Sequence, residues 1–192
     1  TNRKDDIMIK TFLIFDKEIW SDLCQRAVKE LADIESDVRV ILNDVKNEGD
    51  SAISKFSLKF DGVQVSELKV SEEEIKTSSS LITTELKNAI NKAKENIEKF
   101  HKVQLREEEA VEVTAGVTCW RKSVAIEKVG LYIPGGNAPL FSTVLMLGIP
   151  AVLSGCSEIV LCTPPGRDEK INPAILYTAS LLGIRSIYKA GG

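Results

Sequence analysis

Histidine is nearly missing from this sequence: His101 is the only one in 192 residues. Histidine is the commonest general base and a favoured zinc ligand, so a chain with one has few ways of building either device. Cysteine is sparse as well. Cys24, Cys119, Cys156 and Cys162 stand apart with no CxxC pair, and without a secretory signal they read as reduced thiols rather than a disulfide framework. No apolar run approaches the roughly 20 residues that span a bilayer. Residues 1–10 are polar and charged, unlike the apolar core of a signal peptide, so the cytoplasm is the expected compartment. A net charge of −3 offers no electrostatic reason to expect nucleic acid or an anionic membrane as a partner.

What is present is ordinary globular material, 43% hydrophobic and 28% charged, long enough to bury a core. The first hundred residues read as helices. Trp20, Leu23, Cys24, Ala27, Val28 and Leu31 recur at helical spacing, with Asp16 placed to start that helix. Ile34, Val38, Ile41, Leu42 and Val45 repeat the pattern until Gly49. Asp50 is then expected to cap a short helix carrying Ala52, Ile53, Phe56 and Phe60, closed by Asp61 and Gly62. Ser71 and Glu74 form a capping-box pair. The longest stripe follows, Leu86, Ala89, Ile90, Ala93, Ile97 and Phe100, opposite a face of lysines and glutamates. His101, at the end of that helix, suits a cap or surface residue better than a ligand. Residues 107–109 read as a solvated connection.

From about Glu109 the period falls to two. Val111 and Val113, then Val117 and Cys119, and later Val124 and Ile126, alternate around a turn at Ala115 and Gly116. Beyond this hairpin come a strand over residues 128–133, a glycine-rich loop over 134–139, and an apolar helix from about Ser142. A strand at 159–162 and a loop at 164–171 lead to Asn172 and Pro173, suited to N-cap and N1 of a helix through Leu182 that Gly183 ends. A last strand spans 185–190. Strand, helix, strand, helix, strand spells two βαβ units and a parallel sheet. Its short, uninterrupted apolar strands suggest cover on both faces. A three-stranded sheet that stops at Gly191 and Gly192, where a binding loop should begin, leads us to expect part of a longer protein.

The strongest candidate site is the strand and loop Val129-Gly130-Leu131-Tyr132-Ile133-Pro134-Gly135-Gly136-Asn137-Ala138-Pro139-Leu140. Its glycines allow close backbone approach to a ligand, and the following helix offers unpaired N–H groups to a phosphate. It is not GxGxxG, and a tight strand-to-helix connection needs glycine equally. Tyr132, near the strand's end, is placed to stack on a ring or bond a ribose, or to be a half-buried strand tyrosine. Cys156 and Cys162 raise the possibility of thiol chemistry of the aldehyde dehydrogenase kind. Neither has a nearby basic residue to lower its pKa, and packing thiols are the plainer reading.

The run from Gly130 to Pro150, Gly-Leu-Tyr-Ile-Pro-Gly-Gly-Asn-Ala-Pro-Leu-Phe-Ser-Thr-Val-Leu-Met-Leu-Gly-Ile-Pro, closely resembles the signature of histidinol dehydrogenase. The resemblance continues through Gly155, Cys156, Val160, Leu161, Cys162, Pro164 and Pro165, then Ile175, Leu176 and Tyr177, to Gly191 and Gly192. Upstream, Lys59-Phe60-Asp61-Gly62, Val70-Ser71-Glu72-Glu73-Glu74-Ile75 and Asn96-Ile97-Glu98-Lys99-Phe100-His101 also match. The similarity starts at about Ser36; the first thirty residues match loosely.

The resemblance implies a zinc enzyme of histidine biosynthesis that oxidises L-histidinol to L-histidine through the aldehyde, using two NAD molecules in succession. It implies a homodimer with two Rossmann-like α/β domains and smaller accessory segments. Tyr132 matches the family tyrosine that contacts NAD, and Pro134 and Gly135 adjoin it as further cofactor-binding candidates. The family's next cofactor residue, its zinc ligands and its Glu-His proton-transfer pair all lie downstream of Gly192, so no catalytic or metal residue is expected in this chain. The expected fold is α/β. A mainly helical accessory region and part of a first domain occupy residues 1–108. A hairpin and the first βαβαβ of an incomplete Rossmann-like, aldehyde-dehydrogenase-like parallel domain occupy 109–192. A short non-catalytic binding or dimerisation module derived from that family is the alternative.

Overall fold

The computed structural model describes residues 17, 20–24, 31–105, 108–135 and 138–191. Asp16, Ala27 and Val28 of the first expected helix, Glu107, Gly136, Asn137 and Gly192 lie outside them. Two compact units are present, Thr1–Asn43 and Asp44–Gly192. The first holds α1 (Trp20–Leu23) and most of α2 (Leu31–Glu48), which runs on into the second.

Local capping signals shape the helical part of the second unit. Helix α3 (Asp50–Phe56) is capped by Gly49, with no side-chain bond. Asp50, expected as the cap, is instead the first helical residue, where its charge still suits the positive end of the dipole. A π-helical turn, Ser57–Asp61, closes at Gly62. Helix α4 (Glu72–Thr77) starts with the complete capping box: Ser71 Oγ accepts from the Glu74 N–H at 3.1 Å, and the Glu74 carboxylate accepts from the Ser71 N–H at 3.1 Å. After a 3₁₀ turn, Ser78–Leu81, Thr83 caps α5 (Thr84–Lys102) through the Leu86 N–H.

The hairpin pairs β1 (Ala110–Thr114) with β2 (Val117–Trp120), antiparallel. Its alternation predicts one buried face, yet both strands are exposed along their whole length, and residues 121–126, with Val124 and Ile126, form no strand. Val111 and Val113 are both more than half exposed.

The parallel sheet follows the predicted order of elements: β3 (Lys128–Tyr132), α6 (Phe141–Leu153), β4 (Glu158–Thr163), α7 (Pro173–Leu181) and β5 (Ser186–Lys189). The strands lie in the order β3-β4-β5. Two right-handed crossovers that step in the same direction must put both helices on one face. Among the described residues neither α6 nor α7 covers the opposite face, where Val160, Cys162 and Tyr188 are half-buried, so the expected cover by helices is found on one face. Leu131, Leu161 and Ile187 pair in register and pack under Val144 of α6 and Ile175, Leu176 and Ala179 of α7. On the opposite face Tyr132, Cys162 and Tyr188 form the next row, and Tyr132 is 44% exposed. Each fully buried Leu or Ile in the covered row contributes about 1.5–3 kcal/mol relative to exposure.

Helix α5 lies on the far side of α6. Ile90 is fully buried against Leu145 and Ile149, flanked by Leu86, Ala93 and Ile97. The apolar cores thus draw α4, α5, α6 and α7 together across residue 108. Gly148 lets α6 come close: a Cβ there would meet Leu182 Cδ1 at 2.6 Å. The outer edge of β5 is closed by residues 68–70, where Val70 donates to the Ile187 carbonyl and Lys189 to that of Leu68.

Candidate functional site

The carboxyl ends of β3, β4 and β5 come together, which is where open α/β sheets bind ligands. Two backbone bonds align them, from the Ile133 N–H to the Cys162 carbonyl at 2.9 Å and from the Ala190 N–H to the Thr163 carbonyl at 3.1 Å. The loops that leave β3 and β4 enclose, with α4 and the start of α7, a cleft of about 560 Å³. Its walls are rich in proline: Pro134, Pro139, Pro164, Pro165 and Pro173 all line it.

Of the three residues singled out in the sequence, Pro134 and Gly135 line this cleft. Tyr132 does not. It belongs to the row on the sheet's opposite face, beside Cys162. Gly135 has a packing reason of its own, because a Cβ there would meet Pro164 Cγ at 2.5 Å. The loop's second glycine, Gly136, and Asn137 lie outside the described residues. Helix α6 then starts at Leu140 without a side-chain cap. The start of α7, in contrast, is closed. Pro173 carries no N–H, Asn172 Oδ1 accepts from the Ala174 N–H at 2.9 Å, and the Ile175 and Leu176 N–H groups both donate to the Asn172 carbonyl.

Two polar groups lining the cleft, Thr163 and Glu74, and the buried Lys189 behind them were not read as parts of a site from the sequence. Thr163 is 1% exposed, and its Oγ1 is the one buried side-chain oxygen or nitrogen without a partner among the described residues. Its register partner on β5 is Lys189, 8% exposed, whose ammonium pairs with the Glu74 carboxylate at 3.2 Å. Burial pushes the Glu74 carboxyl up, but the Ser71 N–H, the Lys189 ammonium and the Ser71 hydroxyl together hold it below its ordinary value of 4.5. A threonine ending the apolar strand β4 just before Pro164 and Pro165 was the only local hint of this floor.

Burial pushes the Cys162 thiol up, away from the thiolate that nucleophilic chemistry needs. Cys156 is half-buried, and all four cysteines are free. His101 ends α5, with Nδ1 3.2 Å from Gln104 Oε1. Among the described residues no three His, Cys, Asp or Glu side chains converge as a metal ion requires.

The family model for histidinol dehydrogenase matches residues 24–192. The chain is 51% identical over 185 residues to the histidinol dehydrogenase of Bacteroides thetaiotaomicron, a match covering 96% of this chain and 43% of that protein. It is 50% identical over 159 residues to that of Haemophilus influenzae, covering 83% and 36%. The crystal structure of histidinol dehydrogenase from Elizabethkingia anophelis superimposes with a TM-score of 0.86 at 50% identity, over 92% of this chain and 41% of that one. The chain spans less than half the length of each of these relatives.

Proposed function

The chain belongs to the histidinol dehydrogenase family, and from that premise we propose that it forms the amino-terminal part of an enzyme oxidising L-histidinol to L-histidine. The proposal includes NAD as oxidant, zinc held by residues outside this chain, a homodimer and a cytoplasmic location. Among the described residues no helix is long and apolar enough to cross a membrane.

The observation that carries the NAD reading is the cleft beyond the carboxyl ends of β3 and β4, floored by an unpartnered hydroxyl and adjoining an uncapped helix start. Such a place accepts a neutral ring at its floor and a phosphate at its mouth. When bound, NAD supplies the acceptor for the hydride that leaves the alcohol carbon. In this reading Pro134 and Gly135 shape the loop against which the cofactor lies. Tyr132, exposed on the other face, offers its ring to the part of the cofactor nearest the reaction. Taking the alcohol proton falls to groups outside this chain. The test is calorimetric titration of the intact protein with NAD. Tyr132→Ala is expected to weaken NAD roughly tenfold, the worth of one ring contact. Unchanged affinity would remove Tyr132 from the site.

A further inference from the structure

We propose that Asp61 is a positioning residue, which holds the carboxyl end of β5 against the exit of β4 through its contact with Gly191. Asp61 ends the π-helical turn Ser57–Asp61, a geometry that is rare and is found mostly at functional sites. The turn is pinned at both ends. Ser57 and Val63 are buried, and the Gly62 and Val63 N–H groups both donate to the Ser57 carbonyl. Phe56 and Phe60 stack along it, their ring centroids 5.7 Å apart. So mounted, the Asp61 carboxylate lies against a residue far along the chain: a Cβ added at Gly191 would meet Asp61 Oδ2 at 2.5 Å.

The same added Cβ would lie 3.0 Å from Pro164 Cβ, and Pro164 is also the ring that a Cβ at Gly135 would strike. Gly135, Pro164, Gly191 and Asp61 therefore form a row across the exits of β3, β4 and β5, with glycine at the two places where neighbours press closest. Among the described residues the Asp61 carboxylate has no hydrogen-bond or ion-pair partner. With no polar bond to hold it, its place is set by the turn, and its effect there is steric. It backs the end of β5 so that the Ala190 N–H stays on the Thr163 carbonyl, at 3.1 Å, just past the paired residues Thr163 and Lys189. The consequence for the cofactor rests on the NAD reading. Pro164 and Gly135 touch, so a strand end that drifts from Pro164 loosens the loop against which NAD lies.

The test uses the intact protein with Asp61→Ala, Asp61→Asn and Gly191→Ala. Asp61 is exposed, so its variants should fold; a thermal melt checks this. Hydrogen exchange followed by mass spectrometry reads the strand end. Asp61→Ala is expected to speed exchange in a peptide covering residues 187–191 about three- to tenfold, the worth of one backbone hydrogen bond. A peptide covering residues 128–133 should exchange as before. Asp61→Asn keeps an oxygen in the same place and is expected to restore the parent rate. Gly191→Ala should lower the melting temperature by about 2 °C, and by less beside Asp61→Ala, because the methyl then meets only Pro164. Calorimetric titration with NAD reads the consequence: about three- to tenfold weaker binding in Asp61→Ala and parent affinity in Asp61→Asn. Unchanged exchange in Asp61→Ala, or a Gly191→Ala penalty that Asp61→Ala does not relieve, overturns the proposal. So does faster exchange with NAD affinity unmoved, which would leave Asp61 a structural contact with no part in the site. If the parent itself fails to bind NAD, the NAD reading falls, and the exchange and melting results decide alone whether Asp61 positions β5.

Discussion

Gly135→Ala separates the two readings that the glycine-rich loop allows, a glycine kept for packing and a glycine kept for a ligand. A methyl at this position would lie 2.5 Å from Pro164 Cγ, and 3.5 and 3.7 Å from its Cβ and Cδ. Ordinary contact starts near 3.4 Å, so loop and ring must part by about 1 Å; overpacking of this kind costs about 1–3 kcal/mol. Pro164→Ala removes Cγ and leaves the Cβ, which a methyl on residue 135 meets at 3.5 Å. Alone it is expected to cost about 0.4–1 kcal/mol through the unfolded chain. The double variant should therefore be more stable than Gly135→Ala, with a favourable coupling of about 1–2 kcal/mol. Urea denaturation followed by circular dichroism measures all three. NAD affinity, measured beside stability, should recover with it in the double variant if the glycine serves packing. Recovery of stability without affinity assigns the glycine to the ligand. Additive costs, or a neutral Gly135→Ala, would refute the steric reasoning altogether.

The Glu74–Lys189 pair predicts a pH dependence. A carboxyl held below its ordinary 4.5 adds stability that is present above that value and is lost as pH falls through the folded value. Glu74→Gln should cost on the order of 1 kcal/mol at neutral pH, the pair being partly exposed. Its stability curve should then converge with that of the parent as pH falls through the folded value, below the ordinary 4.5; parallel curves would contradict the assignment. Among the thiols, exposed Cys24 and Cys119 should react with a disulfide reagent at pH 8 well before Cys162. Fast labelling of Cys162 would reopen the thiol-enzyme reading.

Local signals carried much of the fold. The Ser71–Glu74 box, the Asn172-Pro173 start of α7 and the α5 stripe are written in residues three or four apart, which is the reach of helical geometry. The βαβ order was legible because each apolar strand ends at a loop rich in glycine or proline. What stayed hidden is long-range. That α6 and α7 share a face follows from the strand order, which no local pattern encodes. Lys189 and Glu74 meet across 115 positions. Thr163 was passed over because a threonine's isolation shows only once every neighbour's partner is known. The hairpin's alternation was real, but alternation reports a face fit to be covered, and both strands are exposed along their whole length.

The central claim is that this chain supplies part of a cofactor site while the proton chemistry and the zinc come from outside it. The most direct test follows NADH formation from L-histidinol with zinc present, for the homogeneous 192-residue chain and for the intact protein side by side. The account predicts sustained turnover by the intact protein and none by the chain alone. Sustained turnover by the pure chain would contradict it.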